Sequence, residues 1–225
     1  MRRMIVLIAT FLMLLLALPS YAASWRTSCG VDRGSIKRSG STYIFRTSKN
    51  HCTGGIFNQR AEITTPDISI SSKRTYVFST TLEMRSKSKE PFIVFQVQDG
   101  RYGCSPPLSV RWGSSGALSF DSDYTKGKGM AGCVENRGLR NARYRGPSLK
   151  RDGTPYKFQA TVQFDGEGGF DVSITVNGKK SIGGKYSPPE DRQFVRAKRY
   201  YFKHGVYSRR VFEYELKSTG MGLSR

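Results

Sequence analysis

In the run Tyr201-Phe202-Lys203-His204-Gly205-Val206-Tyr207 an ammonium group and two phenols recur at alternate positions. Strand geometry puts Tyr201, Lys203, Gly205 and Tyr207 on one side and Phe202, His204 and Val206 on the other. One side is fit to pack and the other to meet a ligand, so His204 is expected in the packed layer, facing away from Tyr207. Lys203 and Tyr207 lie roughly 13 Å apart along such a strand, which suits neighbouring units of a polymer better than a small molecule. Two more segments carry ionisable or amide groups where a purely structural strand needs none. In Asn58-Gln59-Arg60-Ala61-Glu62-Ile63, Arg60 and Glu62 share a face. In Phe92 to Asp99, Gln96 and Gln98 share a face while Ile93, Phe95 and Val97 take the other. Taken singly, each has a plain structural reading: a cross-strand ion pair for Arg60 with Glu62, solvated strand residues for Gln96 and Gln98, and an amphipathic strand face for Lys203 and Tyr207.

The elements that must position these groups are strands. Short alternating or apolar runs are separated by Gly, Pro, Ser and Asn clusters, and no segment sustains a 3.6-residue stripe. Strands are expected over Thr42 to Arg46, Phe57 to Thr64, Tyr76 to Arg85, Phe92 to Gln98, Leu108 to Trp112, Tyr156 to Phe164, Phe170 to Val176, Tyr200 to Tyr207 and Val211 to Leu216. Apolar and polar residues alternate without a break from Tyr156 to Phe164, and Phe170, Val172, Ile174 and Val176 repeat the pattern. Asp165 to Gly169 then reads as a hairpin loop, and Asn177-Gly178 as a two-residue turn needing positive φ. So many half-apolar strands must stack as two sheets or close on themselves. The expectation is an all-β, concanavalin-like jelly-roll sandwich of two antiparallel sheets. From Tyr124 to Asp152 the rhythm breaks into a Gly-rich segment dense in Lys and Arg, expected to be a long basic loop.

Residues 1–23 have a basic start, an apolar run from Met4 to Leu18 and a small-residue site at Ser20-Tyr21-Ala22, which reads as a signal peptide cut near Ala22. A secreted or periplasmic protein is expected, with residues 24–225 as one domain and no membrane span, since no second long apolar run follows. Removing Arg2 and Arg3 leaves 35 of the 37 basic side chains against 17 acidic ones, a formal charge of +18. Such a field concentrates polyanions in any cleft of the same sign. Cys29, Cys52, Cys104 and Cys133 in an oxidising compartment favour two disulfides. Three connectivities are open, and proximity along the chain favours Cys29 with Cys52 and Cys104 with Cys133. With two histidines and no C-x-x-C, no zinc or other metal site is expected.

In order and spacing, the three segments resemble the jelly-roll polysaccharide lyases: alginate lyases of the family-7 kind and the related glucuronan and heparin-lyase-I-like proteins. Gln-Arg-Ala-Glu-Ile (59–63) is similar to that group's Arg-x-Glu strand, Phe-Gln-Val-Gln (95–98) to its Gln-Ile-His strand, and Tyr-Phe-Lys-His-Gly-Val-Tyr (201–207) to its Tyr-Phe-Lys-Ala-Gly-x-Tyr strand. The resemblance implies β-elimination from a uronate polymer: a proton leaves C5, the C4 oxygen departs, and no cofactor takes part. The neighbouring carboxylate must first be neutralised, a role that fits Arg60 and Gln96. Tyr207 would then serve as acid and also as base, with Lys203 and arginines stabilising its phenolate. Gln98 stands where the group has histidine and takes up no proton. Either Tyr207 makes both transfers, or another base enters, or the protein does not catalyse. His51 is the histidine left for that part, and its plainer reading is a loop residue near a disulfide. Glu62, Lys203, Tyr201, His51 and Arg209 are expected to bind substrate beside the catalytic Arg60, Gln96, Gln98 and Tyr207.

The leading expectation is a monomeric lyase acting on an acidic polysaccharide, with the basic 126–151 segment as rim or lid. The alternative is a non-catalytic protein gripping the same polymer through Arg, Lys, Tyr and Trp112. A retaining glycosidase needs two carboxylates about 5 Å apart, and Glu213 with Glu215 or Asp121 with Asp123 lack the spacing. The stretch Arg196 to Arg210 has the basic and aromatic content of a nucleic-acid site, but export argues against nucleic acid as partner.

Overall fold

The computed structural model describes residues 24–51, 57–70, 73–101, 104–125, 132–189 and 199–225. The expected signal peptide, Cys52, residues 126–131 and the first three residues (196–198) of the Arg196 to Arg210 stretch lie outside them. No helix among the described residues is long and apolar enough to cross a membrane.

Strands numbered along the chain form two large antiparallel sheets. The first has the order β1 (Arg26–Thr27), β4 (Gln59–Thr64), β14 (Tyr201–Ser208), β6 (Phe92–Gln98), β7 (Leu108–Trp112) and β8 (Leu118–Asp121). The second runs β13 (Lys179–Tyr186), β12 (Phe170–Val176), β11 (Asp152–Phe164), β5 (Arg74–Arg85), β15 (Glu215–Ser224), β3 (Thr42–Arg46) and β2 (Ile36–Ser39). This is the expected jelly-roll sandwich. Its core is where the apolar faces meet: Phe78 of β5 stacks on Phe95 of β6 at 5.1 Å between centroids and touches Phe158 of β11. The β11–β12 hairpin forms as its alternation dictates, and Asn177 (φ 51°) and Gly178 (φ 78°) make the positive-φ turn into β13.

Three expectations change. The last strand begins at Glu215, not Val211, and continues to Ser224. Across 211–214 side chains take over most of the backbone bonding: Gln59 Nε2 and Thr47 Oγ1 both donate to the Phe212 carbonyl, and the Tyr214 N–H donates to Thr47 Oγ1, while the Tyr214 carbonyl accepts from the Thr47 N–H. The basic segment is not one long loop. It holds the hairpin of β9 (Asp123–Thr125) with β10 (Cys133–Glu135) and the one-turn helix α1 (Arg137–Arg140), which contacts β8 and β13. Arg151 at its end is structural, donating to the carbonyls of Ser88, Glu90 and Gly113. Finally, Trp112 is fully buried, stacked on Phe92, so it grips no ligand.

The Cys104–Cys133 bridge forms and ties the β9–β10 hairpin to the chain leaving β6. Cys29 is exposed, and Cys52, its expected partner, lies outside the described residues.

Candidate active site

β4, β14 and β6 are neighbours, and their register decides which side chains meet. Tyr207 lies opposite Arg60 on one flank and Ile93 on the other, while Lys203 lies between Thr64 and Gln96. Directly opposed residues share a face, so Arg60, Glu62, Gln96, Gln98, Tyr201, Lys203 and Tyr207 all stand on the outer face of the first sheet. The β14–β6 register shifts between His204 and Tyr207, a step that contains Gly205. Its φ of 142° is open to glycine, and a Cβ there would stand 2.1 Å from the Ala61 carbonyl oxygen. A matching irregularity in β6 around Val94 turns Ile93 onto the outer face, opposite Tyr207 and Arg111, against the simple alternation expected of it.

Glu62 is the hub of this face. Only 1% exposed, it accepts a hydrogen bond of 2.7 Å from Gln96 Nε2 and forms an ion pair with Arg60 Nε at 3.5 Å. Burial pushes its carboxyl above the usual range, against the pull of Lys203, Arg60 and the Gln96 amide. Gln98 Nε2 donates to Gln96 Oε1, so the Gln96 amide is oriented from both ends. The Arg60 guanidinium also donates to the Cys29 carbonyl at 3.1 Å and lies over the Tyr207 ring, 4.2 Å from its centroid. Phe57 packs on the same phenol, ring to ring at 4.5 Å, and its N–H donates to the Tyr207 oxygen at 3.3 Å. Lys203 is buried, its ammonium 5.9 Å from the Tyr201 ring centroid. Tyr207, Arg60, Glu62, Gln96 and Gln98 thus form one chain of contacts across three strands.

The remaining expected residues stand at the margin or elsewhere. His51 stands beside the segment that borders β4 at Arg60, its Nδ1 3.4 Å from Asp32 Oδ2. Arg209 is exposed just past the end of β14. His204 is fully buried on the opposite face, as expected. A carbonyl can only accept, so its Nδ1–H donates to the Val94 oxygen and Nε2 accepts from the Ser218 hydroxyl. Burial lowers its pKa to about 4. Sequence reasoning missed two participants. Asp32 is a buried carboxylate that accepts the Arg60 N–H at 3.3 Å beside His51, and Phe57 caps Tyr207. Asp32 sits by a turn with no pattern to mark it, and the apolar run that predicts a strand from Phe57 hides that residue's role, since β4 starts at Gln59.

The two-sheet jelly roll has the fold of the alginate lyases of polysaccharide lyase family 7. Among solved structures, the alginate lyase AlgAT5 of that family superposes with a TM-score of 0.55 at 13% identity, covering 90% of this chain and 94% of its own. The alginate lyase PA1167 from Pseudomonas aeruginosa gives 0.52 at 14% identity, covering 85% and 86%. The alginate lyase AlyC3 in complex with dimannuronate gives 0.50 at 16%, covering 81% and 73%. No protein-family model and no curated protein sequence matches the chain.

Proposed function

We propose that this protein is an exported lyase that cleaves a uronate-containing polysaccharide by β-elimination on the outer face of its first sheet. The observation that carries the reading is the contact chain from Tyr207 through Arg60 and Glu62 to Gln96. The half-buried Arg60 takes the uronate carboxylate in a charge-assisted contact. Gln96 has a second amide N–H beyond the one on Glu62, and completes the donor set for a carboxylate entering between Arg60 and Lys203. With that charge neutralised, the C5–H bond gives up its proton, its electron pair forms the C4–C5 double bond, and the C4–oxygen bond breaks. Tyr207 protonates the departing oxygen and, for groups on the same side of the ring, first receives the C5 proton as phenolate. The guanidinium against its ring and the N–H on its oxygen are placed to hold negative charge there.

One observation favours a second reading, a protein that holds the polymer without cutting it. Gln98 stands in the position of the resembled group's histidine, and its amide is engaged with Gln96. Incubation with a panel of polyuronates, followed by absorbance near 235 nm from the unsaturated product (an approximate wavelength for a product of acid–base elimination), separates the two. Activity on at least one polymer is expected, and Tyr207→Phe should lower it by at least about 10²-fold with unchanged melting temperature. Full activity in that variant would remove Tyr207 from the mechanism, and silence on every polymer would leave the binding reading.

A further inference from the structure

A second concentration of positive charge lies on the other sheet, far from Tyr207. Strand β13 pairs with β12 in a register that slips by one residue: Ile182 faces Ile174, Lys180 faces Thr175, and Ser181 is the extra residue. Regular alternation from the buried Ile182 would aim Lys180 at the core. The bulge instead turns it to the outer face, with Thr175 and Gly183. Gly183 has room for it: a Cβ there would press on the Lys180 Cε at 3.0 Å and the Val172 carbonyl at 3.0 Å, so the bare glycine lets the lysine arm lie across the strand. The segment after α1 runs along this edge, fixed by the Arg145 N–H on the Ser181 carbonyl at 2.7 Å. The two together border an open hollow of about 540 Å³ lined by Asn141, Arg143, Arg145, Lys180 and residues 181–183. No carboxylate lines it, and among the described residues none of its three cations forms an ion pair. Neighbouring Arg140, by contrast, is paired with Asp123 and Glu135.

We propose that this hollow is a second binding site for the acidic polysaccharide, taking sugar carboxylates of a stretch of chain other than the one at Tyr207. The inference rests on the lyase reading for the identity of the polymer, but not for the existence of an anion site. β14 stands three strands in from β8, about 14 Å at ordinary strand spacing, and the hollow belongs to the sheet about 10 Å behind. A long chain can turn the sheet edge, occupy both sites and raise its own effective concentration at the first.

The test is a binding titration in a Tyr207→Phe background, which keeps the polymer intact, using long-chain polymannuronate and a mannuronate tetrasaccharide as probes. R143S/R145S/K180S removes the three hollow cations, and K37S/K87S/K89S removes three exposed cations elsewhere as a control of equal charge. The hollow triple should weaken binding of the long chain by at least about tenfold and leave the tetrasaccharide within about twofold, with the control triple within about twofold on both. Lys180→Ser alone, which touches no backbone bond of the edge, should give part of the same loss. Equal behaviour of the two triples, or equal losses on chain and tetrasaccharide, would overturn the second site. If the unsubstituted protein cleaves no polyuronate yet the hollow triple still differs from its control, the lyase reading falls and the site stands.

Discussion

Glu62 shows how one buried charge organises its surroundings. Its carboxylate collects the Gln96 amide, the Arg60 guanidinium and the field of Lys203, so three groups that would otherwise adopt many rotamers hold one arrangement. His204 is the opposite case, a histidine whose charge the fold refuses. Its pKa of about 4 lies below the ordinary 6.5, so in acid the unfolded chain binds a proton that the folded one does not. The contribution to stability is full above about pH 6.5 and is lost as pH falls toward 4, about 3 kcal/mol for this one group. Imidazole proton resonances should show His204 neutral until about pH 4, and urea unfolding should show stability falling across that window. Titration of His204 near 6.5 would mean that the site between the sheets is wet.

The strand that matters most is β14, because it lies between the two strands that carry Arg60 and Gln96. Its irregularity at Gly205 brings the β14 backbone against β4 at Ala61 and Glu62 while leaving Lys203 and Tyr207 on the same face. Gly205→Ala puts a methyl into the Ala61 carbonyl at a φ that alanine avoids. A loss of at least about 2 kcal/mol is expected, read as a lower denaturant midpoint. Activity should fall with it even in the folded fraction, since Tyr207 and Arg60 must separate to relieve the contact. Unchanged stability would show that β14 can regularise. The β9–β10 hairpin is held differently, by the Cys104–Cys133 bridge and by Arg140 on Asp123.

For the molecule as a whole the governing quantity is charge. With 37 basic and 17 acidic side chains, the protein draws polyanions from a distance, and salt screens that attraction. On any polyuronate that it cleaves, KM should rise by roughly tenfold between about 0.05 and 0.5 M sodium chloride while kcat holds. Equal changes in both would place the effect on folding or chemistry instead of on encounter.

The chain by itself determined the sandwich, because alternation such as that of Tyr156 to Phe164 gives each strand one apolar face and leaves stacking as the way to bury it. It also determined that Arg60, Gln96 and Tyr207 sit on strands, each facing away from its apolar neighbours. What only the tertiary structure decided is adjacency. Nothing local states that β14 inserts between β4 and β6, that Asp32 folds back onto the Arg60 N–H, or that a bulge at Ser181 turns Lys180 outward. Those outcomes depend on register between segments far apart in sequence, and register is set by packing across the whole sheet.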